Sequence, residues 1–525
     1  MAKEISRREF LKGTAVGAAG IAASSALAGC AQKAAAPSTV PEKWDKEVDV
    51  VVCGFGFAGM AAAITATEAG AKVLILEKAT EEHQGGNSKV SGNMWWTPTD
   101  FDGGFAYVKA LAYGTTDDES LKALVQEMLK LNDWLSTKFG VQPAPIGGLF
   151  QPEHPELPGA ESVRTWGNEG KTLASQLYIP IRAYVDQLKI EIMYETPAKE
   201  LIHAPTGEIL GVKAEKGGSP FLIKAKRGVV LATGGFEFDF EMQRQFLPGW
   251  PVYGRGTPYN TGDGIKMAQK VGAALWHMNN TLGGFGCLIV PEYAPVLINL
   301  RMPANSYIFL DKFGKRFMNE LRPNRHGFGH KEYQLFFDGV IGDFTRLPWW
   351  TVFDEATRTK GPLFMGKGTK FTWFAAHSGY EWSDDNSKEI EKGWILKGDT
   401  LEELAGKMKV DPAVLKATVE KYNGFCENKQ DPEFERPADT LVPLAQGPFY
   451  AIQTYPATYN TQGGPKRNAK CQVVDVWGNP IPRLYSAGEL GSFWGWMYNG
   501  GGNNAEALCT GQIAGRNVAA ETPWG

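Results

Sequence analysis

The stretch Val48-Asp49-Val50-Val51-Val52-Cys53-Gly54-Phe55-Gly56-Phe57-Ala58-Gly59 decides the fold. Its first half is a valine-rich run with the composition of a buried strand. Its second half is G-x-G-x-x-G. An Ala-rich segment with helical composition follows over residues 60–69, then a second strand, Lys72-Val73-Leu74-Ile75-Leu76, ending on Glu77. Strand, glycine turn, helix, strand and acid in this order make a βαβ unit that binds a dinucleotide. Gly54 permits the tight turn, Gly56 lets the backbone approach a pyrophosphate, and Gly59 lets the helix sit close to the strand. The helix N-terminus turns free N–H groups and a partial positive charge towards the phosphates. Ala58 lies on that first turn, and Glu77, with Lys78 beside it, is placed at a ribose diol. Glycine is common here (62 of 525 residues), so the register of all five parts carries the reading, and the glycine motif alone does not.

Length and composition bound the rest. A chain of 525 residues exceeds one ordinary core and predicts at least two domains. A hydrophobic fraction of 43% and a charged fraction of 21% are those of a globular protein. The net charge of −4, without a basic run beyond the N-terminus, leaves no footprint for nucleic acid. Ser6-Arg7-Arg8-Glu9-Phe10-Leu11-Lys12 resembles a twin-arginine export signal, which carries folded, cofactor-loaded proteins. Residues 13–27 are too few and too mildly apolar for a membrane span. Leu27-Ala28-Gly29-Cys30 resembles a lipoprotein cleavage box with Cys30 as the lipidated residue; an ordinary cleaved signal with an incidental cysteine is the alternative. The expectation is a signal over 1–30, a linker over 31–46, and a chain anchored by lipid outside the cytoplasmic membrane. The remaining cysteines (Cys53, Cys287, Cys426, Cys471, Cys509) are odd in number, scattered and without C-x-x-C, so buried free thiols are expected. No metal site is expected, since the only close histidine pair, His326 and His330, lies in a Gly-rich stretch.

Later segments select the dinucleotide. Gly85-Gly86-Asn87-Ser88-Lys89-Val90-Ser91-Gly92-Asn93 is a second Gly/Ser/Asn loop. Tyr194-Glu195-Thr196-Pro197-Ala198-Lys199-Glu200-Leu201 adjoins a strand, and Arg227-Gly228-Val229-Val230-Leu231-Ala232-Thr233-Gly234-Gly235-Phe236 is a buried strand ending in glycines. Thr261-Gly262-Asp263-Gly264 precedes a helix over 265–272, Arg483-Leu484-Tyr485-Ser486-Ala487-Gly488-Glu489 is a strand ending on glycine and acid, and Gly500-Gly501-Gly502-Asn503-Asn504 opens a final helix over 505–519. In this order the segments resemble the flavoprotein superfamily of fumarate reductase and succinate dehydrogenase over about residues 47–520. The resemblance implies FAD contacted by Glu77, Ser88, Ala198, Asp263, Glu489 and the helix start at 502–505, hence Asn504 and Ala505. Gly86, Asn87, Ser91 and Gly92 from the loop, and Ala232, Thr233 and Gly234 from the strand end, join these candidates. No histidine stands at 87–92 where relatives attach flavin covalently, so non-covalent FAD is expected. No second glycine motif for a nicotinamide exists, and an exported protein meets no nicotinamide pool. A quinone- or cytochrome-linked carrier at the membrane is therefore the expected electron partner.

The fold implied is α/β: a discontinuous Rossmann-type FAD-binding domain (47–278 and 446–525) with an inserted α+β substrate-capping domain (279–445). The insert carries Ile308-Phe309-Leu310-Asp311-Lys312-Phe313-Gly314-Lys315-Arg316-Phe317-Met318-Asn319-Glu320, similar to the family's cap motif. The dicarboxylate clamp of fumarate reductases needs permanently cationic donors. Its histidine position before Thr461-Gln462-Gly463-Gly464 is Asn460, and its C-terminal arginine position is Gly500. The 3-ketosteroid dehydrogenase branch is matched better, by Ser91-Gly92-Asn93-Met94-Trp95-Trp96-Thr97-Pro98, by Pro152-Glu153-His154-Pro155-Glu156-Leu157-Pro158-Gly159 and by Tyr498-Asn499-Gly500-Gly501-Gly502. In that branch the Tyr hydroxyl and the last Gly N–H polarise a ketone, which assigns those tasks to Tyr498 and Gly502. The branch's catalytic Tyr after the cap motif is Asn324 here, beside Arg322 and Arg325, and its helper Tyr falls at His154 or Glu153. Histidine exchanges protons near neutral pH and asparagine does not. His154, or a water held by Arg322 or Arg325, is accordingly the expected acid. The activity expected is reduction of a C=C bond beside a carbonyl, an enone, by hydride from FAD, similar to exported steroid-lactone and acrylate reductases of anaerobic bacteria. An acrylate-type reductase using Arg322 and Arg325 is the alternative, and an electron-transfer subunit without substrate a third reading.

Overall fold

The computed structural model describes residues 40–147, 152–321 and 336–525, apart from the side chains at 284 and 285. The valine-rich strand runs Lys46–Cys53 and pairs in parallel on both sides. Cys53 faces Leu76 of Val73–Leu76 on one side and Leu231 of Ser219–Leu231 on the other. The sheet continues beyond Ser219–Leu231 to Pro480–Ser486 and Gln472–Val474, and beyond Val73–Leu76 to Glu191–Met193. Ala198–His203 and Ile209–Lys216 add two antiparallel strands alongside Ser219–Leu231, making eight. Ser486 also faces Leu231, so the parallel strands finish together near Cys53, Leu76, Leu231 and Ser486. Every loop leaving them opens on one edge, where ligands sit in sheets of this kind.

The helix after the glycine turn spans Phe57–Glu68, three residues ahead of the expected start. Gly56 is its N-cap in extended conformation, so the helix begins inside the motif. Residues 57–64 are all buried, with the sheet on one side and the final helix, Gly502–Ala519, on the other. The approach of the two helices explains the alanines: a Cβ on Gly511 would stand 2.5 Å from the carbonyl oxygen of Ala58. The second Gly/Ser/Asn segment is a short helix, Gly86–Val90, where a loop was expected.

A second sheet of seven strands is built around the 13-residue strand Phe449–Thr461. Thr281–Leu288 and Trp349–Asp354 flank it antiparallel, with Tyr307–Leu310 and Ile298–Asn299 outermost. Tyr253–Gly254 joins it in parallel, with Tyr253 opposite Ala457 and Gly254 opposite Thr458. One face carries an aromatic core that includes Trp349, Phe364, Phe374 and Trp382, and the other is covered by Leu401–Met408 and Pro412–Asn428. Two charged side chains of the cap-like motif, Arg316 and Glu320, are buried and paired. Arg316 meets Glu320 at 2.9 Å and Asp431 at 2.9 Å, and Arg436 meets Glu320 at 3.1 Å. A smaller sheet of Trp95–Pro98, Val163–Asn168 and Pro143–Pro145 stands beside the first. The chain ahead of the main sheet is tied down by Trp44, whose ring meets Trp524 edge-on at 6.3 Å.

The five cysteines expected as thiols are buried and unpaired, and burial pushes Cys53 and Cys471 up to about 12. Among the described residues no helix is long and apolar enough to cross a membrane, and no cluster of three ligating side chains could hold a metal. Arg7, Arg8, Cys30, Arg322, Asn324, Arg325, His326 and His330 lie outside the described residues.

Candidate active site

A cavity of about 700 Å³ lies at the carboxyl edge of the parallel sheet, walled by Cys53, Leu76, Ala232 and Ala487 where the strands end. Of the candidate cofactor residues, all but Gly59 and Ala505 line it. Gly59 serves packing instead, since a Cβ there would stand 2.0 Å from the carbonyl oxygen of Gly54, itself at φ +105°. Ala505 corrects an expectation. The last helix starts at Gly502, which puts Ala505 inside its first turn and fully buried, with its N–H on Gly501 O.

The phosphate end is ready for an anion. The helix Phe57–Glu68 has no side-chain N-cap, and the Phe57 N–H is held by Ser88 Oγ at 3.0 Å. A Cβ built on Gly56 would meet nothing closer than Ser88 Oγ at 3.4 Å, so the space beside it belongs to the cavity. Glu77 is buried and takes the Ala79 N–H on Oε1 at 2.7 Å, and burial raises its carboxyl above the ordinary range. Lys78 pairs with Asp263 at 2.7 Å, joining the first βαβ unit to the helix Asp263–Lys270. Thr233 Oγ1 is buried without a hydrogen-bond partner among the described residues, in the cavity wall. An orphaned hydroxyl and an open glycine are what a bound dinucleotide would complete, so the residues fit the cofactor that the sequence implies.

Under this region two acids face each other. Asn87 Nδ2 donates to Glu237 Oε1 and to Glu489 Oε1, both at 3.1 Å. Asn260 Nδ2 does the same at 3.2 and 3.1 Å. Burial raises both carboxyls, and for Glu489 the charge of Glu237 is the next cause. Two buried like charges at one site cannot both ionise cheaply, which favours the protonated form of one of them. Glu237 and Asn260 were not singled out by sequence; the glycines ahead of Glu237 were the only local signal.

At the other end Tyr498 stands in the cavity wall, 7% exposed, and its hydroxyl oxygen accepts the Gly501 N–H at 2.9 Å. Burial first, and the charge of Glu153 next, hold the phenol well above its ordinary value, so it stays protonated. The glycine run is stitched from behind. Gly500 N–H donates to Glu153 Oε2 at 2.8 Å, and Asn499 Oδ1 accepts from Glu153 N–H at 2.8 Å and from Tyr107 O–H at 2.9 Å.

Two assignments made from sequence are corrected here. Gly502 does not line the cavity, and its N–H donates to Asn499 O at 2.9 Å, closing the turn before the last helix. His154 is fully buried behind Tyr498, outside the cavity lining, with Nε2 at 3.0 Å from the Tyr498 carbonyl oxygen. It supports the backbone of the tyrosine from outside the cavity wall. Asn460, at the position of the family's histidine, is likewise buried outside the lining and accepts from Asn503 Nδ2 at 2.7 Å. Glu320 and Leu321 do line the cavity, immediately ahead of Arg322. Arg255, which sequence reasoning passed over, lines it too; its signal was a lone cation between Gly254 and Gly256.

Residues 4–24 match the twin-arginine translocation pathway signal sequence, and residues 49–505 match the FAD binding domain family. Digoxin reductase of Eggerthella lenta is 28% identical over 576 aligned positions, covering 99% of this chain and 97% of that protein. The 3-oxosteroid 1-dehydrogenase of Mycolicibacterium smegmatis is 26% identical, over 90% of this chain and 98% of that one. The crystal structure of 3-ketosteroid delta1-dehydrogenase from Sterolibacterium denitrificans superposes with a TM-score of 0.77 at 23% identity, over 90% of this chain and 100% of that one. The chain belongs to the FAD binding domain family and is an FAD-dependent oxidoreductase of the fumarate reductase and ketosteroid dehydrogenase kind.

Proposed function

We propose that this protein reduces a carbon–carbon double bond conjugated to a carbonyl, an enone, with FAD held non-covalently in the cavity. The observation that carries the reading is Tyr498: a protonated phenol fixed in the cavity wall by the Gly501 N–H on its oxygen. FAD, when bound, supplies the hydride that goes to the β-carbon. The chain's own part is to hold the substrate oxygen, on which negative charge gathers as hydride arrives. The Tyr498 hydroxyl donates to that oxygen, and one such donor is typically worth about 2.7–4 kcal/mol of barrier. Glu153, His154 and Tyr107 hold the tyrosine loop in place from outside the cavity. The proton for the α-carbon comes from a water held by Arg322 or Arg325, whose chain neighbours Glu320 and Leu321 reach the cavity wall. At the cofactor end Gly54, Gly56 and Ala58 would hold the pyrophosphate, Glu77 the ribose, and Ser88, Thr233 and Glu489 the rest, all of them residues of the cavity wall.

The FAD-binding part of the chain comprises 47–278 and 446–525, and the cap 279–445. Reduction is the direction proposed, supported by the export signal, which removes the protein from nicotinamide, and by a relative named as a reductase. Electrons then arrive from a quinone- or cytochrome-linked carrier at the membrane, where Cys30 anchors the protein by lipid. The test is reoxidation of photoreduced holoenzyme by a panel of enones and acrylates. Flavin that stays reduced with every compound would show an electron carrier without a substrate.

A further inference from the structure

With the Gly502 N–H turned away, the cavity needs another donor for the substrate oxygen, and one is in place. Arg255 is 7% exposed and lines the cavity. Its guanidinium lies 4.3 Å from the ring centre of Phe371 and 4.4 Å from that of Tyr459, so aromatic faces cover it on two sides. The planar group then has its N–H donors left at its edge. Among the described residues Nη2 is buried with no hydrogen-bond partner, and no carboxylate pairs with the group. Burial draws the guanidinium below its ordinary value. Tyr459, which covers it, is followed by Asn460, and Asn460 accepts from Asn503 Nδ2 of the Tyr498 glycine run at 2.7 Å, so the group lies towards the Tyr498 end. Phe371 lies against Gly92, in the same region, 3.8 Å from where a Cβ on that residue would be.

We infer that Arg255 is the second donor to the substrate's carbonyl oxygen, beside Tyr498, in the place a backbone N–H was expected to fill. The inference rests on the reading of the site as a conjugated-carbonyl reductase and sharpens its substrate class. A buried cation without a counter-ion is costly, and a guest whose oxygen is anionic removes that cost on binding. A neutral ketone removes it only as charge develops during hydride transfer. The site should therefore bind conjugated carboxylates in preference to their neutral isosteres, and should accelerate enones through the transition state.

Three probes with the same styryl group separate these effects: cinnamate, cinnamamide and benzylideneacetone. Binding to oxidised holoenzyme is read from the flavin difference spectrum, and hydride transfer from stopped-flow reoxidation. Wild type should bind cinnamate at least about tenfold more tightly than cinnamamide, as expected for a charge-assisted pair. Arg255→Met should abolish that preference and slow reoxidation by benzylideneacetone about 10²–10³-fold, with FAD content unchanged, and Arg255→Lys should restore part of both. Equal affinity of wild type for cinnamate and cinnamamide would overturn the inference. So would an Arg255→Met enzyme that keeps the preference and stays within threefold of wild type in rate. Loss of FAD from both variants would assign the cation to the cofactor and overturn it as well. A wild type that prefers cinnamate through Arg255, yet is reoxidised by none of the three probes, would sustain the anion site and remove the reductase reading.

Discussion

Tyr498 and His154 are 3.0 Å apart at the backbone of one and the ring of the other, yet their substitution should read out differently. Tyr498→Phe removes a hydroxyl that acts on charge present only in the transition state. The expected result is hydride transfer slower by about 10²-fold or more, with FAD content and substrate Kd little changed. A variant within threefold of wild type would take the tyrosine out of the chemistry. His154→Ala removes a buried ring from behind the tyrosine and leaves the Tyr498 carbonyl without that partner. A loss of about 0.5–1.5 kcal/mol of stability is expected from the hydrogen bond removed, read from denaturant unfolding. The pH dependence of the rate near neutrality should keep its shape, because the ring does not reach the cavity. A flattened profile would restore the histidine to the proton path. The motif around Tyr498 singles out a residue that stands in the cavity wall. It does not tell which N–H groups of the glycine run the fold consumes internally, and that decides against Gly502.

At the scale of elements, the first βαβ unit was legible because its parts are contiguous: strand, turn, helix and acid follow within about thirty residues. Gly56 tests that unit. Gly56→Val would fill the space that opens beyond Ser88 Oγ, and purified variant protein should be colourless where wild type is yellow. A yellow variant would move the pyrophosphate elsewhere. Arg255 was not legible, because its place depends on register between distant segments. Tyr253–Gly254 runs parallel to Phe449–Thr461 with Gly254 opposite Thr458, and this pairing sets Arg255 beside Tyr459. No local window holds that information. The Glu237–Glu489 pair arises in the same way, from a strand end, the short helix Gly86–Val90 and the loop after Pro480–Ser486. Both acids are raised in the folded state from a reference near 4.5, so the folded chain binds more protons than the unfolded one above that pH. Their contribution to stability therefore falls as pH rises from about 4.5 towards the raised folded values. Glu237→Gln removes one titrating group and the like charge facing Glu489. The variant should lose less thermal stability than wild type between pH 5 and pH 7. An equal loss in both proteins would show the pair to be ionised alike in both states.

At the scale of the whole molecule, the export signal and the buried site impose one order of events. A cavity enclosed by two sheets from distant parts of the chain exists only after both have formed. A cofactor found in the cytoplasm must enter at that stage, before transport. The twin-arginine route suits such a cargo, because it moves proteins already folded. Replacing Arg7 and Arg8 together by Lys keeps the charge and removes the paired guanidinium groups that the pathway reads. Flavin-loaded protein should then accumulate in the cytoplasm, yellow and competent for reoxidation, and none should reach the cell envelope. Cys30→Ala separates anchoring from export. If Cys30 carries lipid, the variant should be exported at the normal level and recovered in the soluble envelope fraction, with the same rate of reoxidation by an enone in solution. Delivery of electrons from membranes should fall in that variant, because a tether confines the enzyme to the surface where the carrier is reduced and raises its effective concentration there. A Cys30→Ala protein that still sediments with membranes and draws electrons from them as fast as wild type would dismiss the lipid anchor. Protein in the wild-type location with both arginines replaced would dismiss the export route itself.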